Sequence, residues 1–258
     1  MDRRPLKSEP TDLVFGVRPV QEVLLARPLE VERILVAREI SGTVGRILRA
    51  AREAGIPVTH LSRDRLVVRA GRRSAAQGIV AQVAAARYAE VEAVCKAACA
   101  KPDGLLVLVD RVTDAGNLGA IIRTAAAAGA DGVLLSREGT VGLTAHVVKA
   151  SAGAVERIPV SREPEPGRRI EGLREAGFLC LALDPRGEVP WTDPSLSGRV
   201  VVVAGGEARG PRPGVLDRCD IKVAIPLERG IESLNVAVAA AVILFEARRQ
   251  RRGSGPRA

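Results

Sequence analysis

The chain has 258 residues, of which 47% are apolar and 2% aromatic, and its formal net charge is +9. So much aliphatic content excludes global disorder, and so few aromatic rings argue against reading single-stranded nucleic acid on stacked aromatic platforms. The positive charge, mostly arginine, suits a polyanion such as nucleic acid or an anionic membrane, or simply an arginine-rich proteome; charge alone does not separate them.

Residues 1–12 carry basic side chains and no apolar stretch of the kind a secretory signal needs, so they read as a solvated basic tail. Residues 13–86 read as a small α/β unit. "GVRPVQEVLLA" has helical spacing, "VERILVA" reads as a strand, and "TVGRILRAAREAG" as a helix closed by Gly55. "IPVTHLS" and "GIVAQVA" read as two further strands. Between them lies "RDRLVVRAGRRSAAQG", an arginine-dense loop that could contact phosphate or be a solvated surface turn. Residues 87–103 read as a helix linking two domains.

From Leu105 strands and helices alternate regularly. "LLVLVD", "GVLLS", "RIPV", "FLCLALD", "RVVVVAGGE" and "KVAIPL" read as strands. Helices are expected at "NLGAIIRTAAAAGA", "TAHVVKASAGA", "RIEGLREAG" and in the closing stretch to Arg249, with a second basic tail over 250–258. Continuous apolar strands separated by helices predict a parallel sheet with helices on both faces, and such sheets bind ligands beyond the carboxyl ends of their strands. No apolar run is long enough to span a bilayer, so no membrane partner is expected. Cys95, Cys99, Cys180 and Cys219 form no Cys-x-x-Cys pair and stand far from His60 and His146. No metal site is expected, and reduced thiols in a cytoplasmic protein are the default.

Three strand ends carry chemistry. In "LLVLVDRVTDAGNLGAIIRTA", Asp110 ends a strand while Asn117 and Gly119 open a helix; Gly116 and Gly119 would let backbone approach a ligand. Arg123 lies six residues after Asn117 and so off its helix face; a surface arginine would look the same. In "VVVVAGGEARG", Glu207 follows Gly205-Gly206 and could bind a ligand or cap a helix. Neither a Walker loop nor a Gly-x-Gly-x-x-Gly turn is present. In "IPLERGIESLNVAVAAAVILFEARR", Ser233 or Asn235 could cap the last helix, but capping does not explain both together with Glu232.

In this order, the three stretches resemble the signature motifs of the SpoU (TrmH-type) branch of the SPOUT superfamily. "FGVRPVQEVLL" and "AAQGIVAQV" resemble the ribosomal-protein-L30e-like substrate domain of 23S rRNA guanosine-2′-O-methyltransferases. Ala208 stands where the family usually has glycine, Ala115 replaces a common proline, Leu227 a usual methionine, and the third loop's glycine falls one place later, at Gly230. The resemblance implies a methyltransferase domain over 104–249 with a deep trefoil knot, an L30e-like RNA-binding domain over 13–86, and a homodimer. It implies S-adenosylmethionine as methyl donor and the ribose 2′-hydroxyl of an RNA as acceptor, most closely a guanosine of 23S rRNA or a ribosome precursor. The same chemistry on tRNA or on an antibiotic-resistance rRNA site, or a non-catalytic assembly factor, are the alternatives. Carried over position by position, Ala204, Gly205, Gly206, Ile225, Pro226, Leu227, Leu234 and Asn235 would hold the donor. Arg123, Asn117, Glu207, Ser233 and Asn235 would act on the substrate, with Arg123 as base or as phosphate and oxyanion clamp.

Overall fold

The computed structural model describes residues 12–37, 42–70, 78–206 and 210–253. It divides into two compact units: residues 1–87 with 143–145, and residues 88–142 with 146–258.

The smaller unit is a four-stranded sheet with helices. Its elements are β1 (Asp12–Phe15), α1 (Val17–Ala26), β2 (Val31–Ala37), α2 (Gly42–Glu53), β3 (Val58–Leu61), α3 (Arg63–Ala70) and β4 (Ile79–Val83). Strand order is β1-β4-β2-β3, with β2 and β3 parallel and β4 antiparallel to β1 and β2. The core forms because α1 and α2 lay Val20, Val23, Leu24, Ile47, Leu48 and Ala51 on the apolar face of β2 and β4. Strand β1 has no counterpart among the predicted elements. The arginine-dense loop is corrected in its first half: Arg63–Ala70 is helical, and 71–77 lie outside the described residues.

The larger unit runs α4 (Val91–Cys99), β5 (Leu105–Asp110), α5 (Ala115–Ala128), β6 (Gly132–Ser136), α6 (Ala145–Ala150), β7 (Val160–Glu163), α7 (Pro166–Glu175) and β8 (Leu179–Leu183). It continues with β9 (Val189–Pro190), β10 (Val200–Gly205), α8 (Pro213–Leu216), β11 (Ile221–Ala224) and α9 (Val236–Gly253). All seven strands are parallel, in the order β7-β6-β5-β10-β8-β11-β9. Alternate residues of β5 and β10 face opposite ways. Leu106, Leu108, Val201 and Val203 pack with α4, α7 and α8, while α5 and α9 pack together on the other face.

Three expectations change here. Residues 87–103 are no bare connector: Val94, Cys95 and Ala98 of α4 are buried in the core of the larger unit. Nor is the chain past Arg249 a free tail at its start, because α9 runs to Gly253. Gln250 Oε1 accepts from Leu196 N–H at 2.7 Å and Arg251 Nε donates to Leu196 O at 3.0 Å. The strand expected at "RIPV" forms three residues later, because Arg157 closes a short 3-10 turn and Val160 is the first residue to pair with β6.

The four cysteines are free thiols on one side of this sheet. Burial pushes the Cys95 thiol up to about 11 and Cys219 to about 12, and raises Cys180 too. A folded state that disfavours the thiolate gains this stability below the ordinary thiol value of 9.0 and loses it as pH rises through the raised values. At pH 8 a thiol reagent should therefore modify Cys99 at most in the native protein and the others only on unfolding. Prompt native modification of Cys95 or Cys180 would contradict this.

Candidate functional site

Strands β5 and β10 lie in register, Leu105 beside Val200 and Asp110 beside Gly205, so their carboxyl ends finish together. Asp110 is completely buried there. Its carbonyl accepts from Gly206 N–H at 3.0 Å, and its carboxylate accepts from Arg212 N–H at 2.7 Å and Arg212 Nε at 2.9 Å. Arg212 also donates to Glu138 O at 2.6 Å, so one guanidinium ties the loops that follow β5, β6 and β10. Sequence reading missed Arg212. Its only signal was a lone arginine between two prolines.

The turn after β10 depends on glycine. A Cβ on Gly205 would stand 2.0 Å from Pro211 N, and one on Gly206 would stand 2.3 Å from Arg111 O. Gly210 N–H closes the turn on Gly206 O at 2.8 Å. Glu207 and Ala208 lie outside the described residues.

Helix α5 starts where Asp114 accepts the Asn117 N–H at 2.7 Å and stops at Gly129 in the left-handed conformation. With its backbone capped, Asn117 uses its side chain elsewhere: Asn235 Nδ2 donates to Asn117 Oδ1 at 2.9 Å. Asn235 Oδ1 meanwhile accepts from Ala237 N–H at 2.9 Å, so this side chain caps α9 and joins the first and third motifs at once. Gly119 has a different role from the one expected. A Cβ there would meet Ala150 Cβ at 2.5 Å, so it allows α5 and the end of α6 to touch rather than admitting a ligand.

Beyond the carboxyl ends of β8, β10 and β11 opens a cavity of about 630 Å³. Of the expected donor residues, Gly205, Gly206, Ile225, Leu227 and Leu234 line it, together with Ser233. Three expected donor residues, Ala204, Pro226 and Asn235, do not line it. Ala204 is fully buried inside β10, and Pro226, between the lining residues Ile225 and Leu227, is exposed. Asn117, Asn235 and Arg123 do not line the cavity. Asn117 and Asn235 meet each other, whereas exposed Arg123 lies on a different face of α5.

The turn Asp184–Gly187 lines the cavity through Asp184, Pro185 and Arg186 and was not anticipated. It is held by Gly187 N–H on Asp184 O at 2.9 Å and Arg186 N–H on Asp184 Oδ1 at 2.9 Å. The Asp-Pro-x-Gly pattern at a strand end was the available signal. In the third loop Arg229 has φ 57° and Gly230 φ 74°, so the displaced glycine leaves an arginine in the left-handed region at a cost of about 1 kcal/mol.

Gly205→Ala is expected to destabilise the larger unit by roughly 1–3 kcal/mol, because the clash is with backbone and cannot be relieved by a rotamer change. It should also weaken donor binding at least tenfold. Calorimetry and urea unfolding check both, and unchanged affinity would show that the turn is not part of the site.

A cavity of this size, at the carboxyl edge of a parallel sheet and walled by glycines and aliphatic side chains with a few polar groups, places the chain among α/β proteins that bind a small ligand at their strand ends. Comparison with known proteins gives the particulars. Residues 104–245 match the SpoU rRNA Methylase family, and residues 13–89 match the RNA 2′-O ribose methyltransferase substrate binding family. An uncharacterized tRNA/rRNA methyltransferase of Mycobacterium avium (strain 104) is 37% identical over 253 residues, covering 97% of this chain and 82% of the relative. Its counterpart in Mycobacterium tuberculosis (strain ATCC 25618 / H37Rv) is 36% identical over 255 residues, covering 97% and 78%. The crystal structure of the SpoU methyltransferase AviRb from Streptomyces viridochromogenes, in complex with AdoMet, aligns with TM-score 0.59 and 29% identity over 94% of this chain and 91% of its own. An AdoMet-bound rRNA methyltransferase from Sinorhizobium meliloti aligns with TM-score 0.57 and 28% identity over 92% and 86%. The chain belongs to the SpoU family of S-adenosylmethionine-dependent RNA 2′-O-ribose methyltransferases.

Proposed function

We propose that this enzyme methylates the ribose 2′-oxygen of a guanosine in 23S rRNA. The observation that carries the reading is the convergence of the three motif loops: two wall one cavity, and the third is bonded to them through Asn117 and Asn235. Gly205, Gly206, Ile225, Leu227 and Leu234 would hold S-adenosylmethionine, whose sulfonium supplies an electrophilic methyl. Attack by the 2′-oxygen would form the O–CH₃ bond as the S–CH₃ bond breaks, its electron pair staying on sulfur to leave a neutral thioether, while the hydroxyl proton passes to solvent water. Asn117, Ser233, Asn235 and Glu207 orient the sugar. A guanidinium is a poor base, so Arg123 binds the neighbouring phosphate and stabilises the forming oxyanion.

The 13–86 unit binds the RNA, 104–249 carries the chemistry, and the closing helix is reached through a trefoil crossing. A cytoplasmic enzyme on a ribosome precursor follows from this substrate. Two copies pair through α9. On its outer face Val238 and Phe245 are 50% and 48% exposed, with Val242 between them at helical spacing.

Mass-spectrometric mapping of ribose methylation in a deletion strain tests the substrate. Loss at one 23S guanosine, restored by the gene, is expected. Loss in tRNA alone would redirect the same chemistry, and no loss anywhere would leave the assembly-factor reading.

A further inference from the structure

We propose a second polyanion site on the larger unit: a pocket for an RNA phosphate at the amino-terminal edge of the sheet. A cavity of about 310 Å³ is lined there by Lys101, Arg248, Arg251 and Arg252, with Asp103 and Asp131 among its walls. Lys101 and Asp103 precede β5, Asp131 precedes β6, and the three arginines lie on the last turns of α9. The donor cavity opens at the other ends of these strands. Six residues of β5 and β10 separate the two edges, about 20 Å of extended chain. The two cavities share no lining residue.

The four cations are not equally satisfied. Asp131 is committed to Lys101 and to Leu105 N–H at 2.8 Å, so that pair is neutral within itself. Arg248 is anchored on Ala127 O at 2.6 Å, and Arg251 on Leu196 O at 3.0 Å and Gly198 O at 2.9 Å. Those anchors are carbonyls. They fix the guanidinium planes, and the two carboxylates of the cavity offset only part of its four positive charges. Burial lowers the Arg251 pKa, and the attraction of Asp103 and Asp131 only opposes that shift. Exposed Arg252 makes no ion pair with any described residue. Basic side chains at a helix end also meet the helix dipole. That explains arginines in the last turn, but not three of them meeting Lys101 around a cavity. Pre-fixed forks with spare donors are the arrangement that binds a phosphate oxygen pair at low entropic cost.

The ligand class follows from the proposed substrate, on which this inference rests: a phosphodiester of the RNA, gripped away from the methylated sugar. The test measures binding of unmethylated 23S rRNA transcribed in vitro as a function of KCl concentration. It compares wild type, Arg248→Gln/Arg252→Gln, Arg252→Gln alone, and the charge-matched control Arg157→Gln/Arg168→Gln. Each lost phosphate contact lowers the slope of log K against log salt by roughly 0.7–0.9, so the double variant should lose about one unit, near tenfold in affinity at 0.1 M. The single variant should show part of this, the control little, and S-adenosylmethionine affinity should be unchanged in all. Pyrophosphate binding to the same proteins is measured beside it; an unchanged slope with unchanged pyrophosphate binding, or an equal fall in the control, overturns the site. Pyrophosphate binding lost in the variant while the RNA slope stays constant would overturn the RNA assignment in favour of a free phosphate compound. If wild type binds no RNA at all, the proposed substrate fails first, and that outcome is distinct from the others.

Discussion

Arg123→Ala is expected to cut single-turnover methyl transfer by 10²–10³-fold while leaving S-adenosylmethionine affinity within about twofold. The rate effect is the usual size for removing one group that stabilises developing oxyanion charge, roughly 2.7–4 kcal/mol. The affinity is spared because Arg123 is exposed on α5 and does not line the donor cavity. Transfer of a labelled methyl group, measured beside calorimetry of the donor, separates the two. Arg123→Lys refines the result. If the guanidinium grips phosphate with two parallel hydrogen bonds, lysine restores little. Full activity in that variant would reduce the role to a point charge, and full activity in the alanine variant would remove Arg123 from the chemistry.

Arg212→Met should have the largest effect on stability. It strips the guanidinium from Asp110, which is fully buried and would keep only the Arg212 N–H. An uncompensated buried carboxylate costs about 3 kcal/mol, toward the lower end of the usual range because the Arg212 side chain is 25% exposed. In a domain of this size that lowers the unfolding midpoint by roughly 6–12 °C. Asp110→Asn/Arg212→Met should recover part of the loss, since the charge goes with its partner. The donor cavity should also loosen, because Gly206 N–H bonds the Asp110 carbonyl and the same arginine fixes the loop after β6. A Arg212→Met midpoint within 1 °C of wild type would show that the pair is not holding the strand ends.

The architecture was legible where periodicity is strongest. Leu105–Asp110, Gly132–Ser136 and Val200–Gly205 are buried on both faces, and an unbroken apolar run has few other folds available. Short edge elements were not legible. Strand β1 and the two-residue β9 pair at sheet edges, where pairing partners rather than composition decide the conformation. The site divides in the same way. The strand-end glycines, Leu234 and the Asn117–Asn235 pair lie within motifs whose chemistry is visible in the residues themselves. Arg212 acts through a neighbour far along the chain, Asp110 at a separation of 102 residues, and the Asp184–Gly187 turn, bonded within itself, meets the cavity only beside β11 and the third loop. A contiguous motif does not tell its lining residues from their neighbours: Ile225 and Leu227 line the cavity and Pro226 between them does not.

One side of the donor cavity is walled by Gly205, Gly206 and Gly210, positions that present main chain and no side chain. Substitution can reshape a wall of side chains one residue at a time; it can hardly reshape this one without breaking the turn. A competitive inhibitor that draws its affinity from these peptide groups should therefore be hard to escape by point mutation. Resistance would have to arise at the rim, around Arg186 and Glu232, or in the RNA itself.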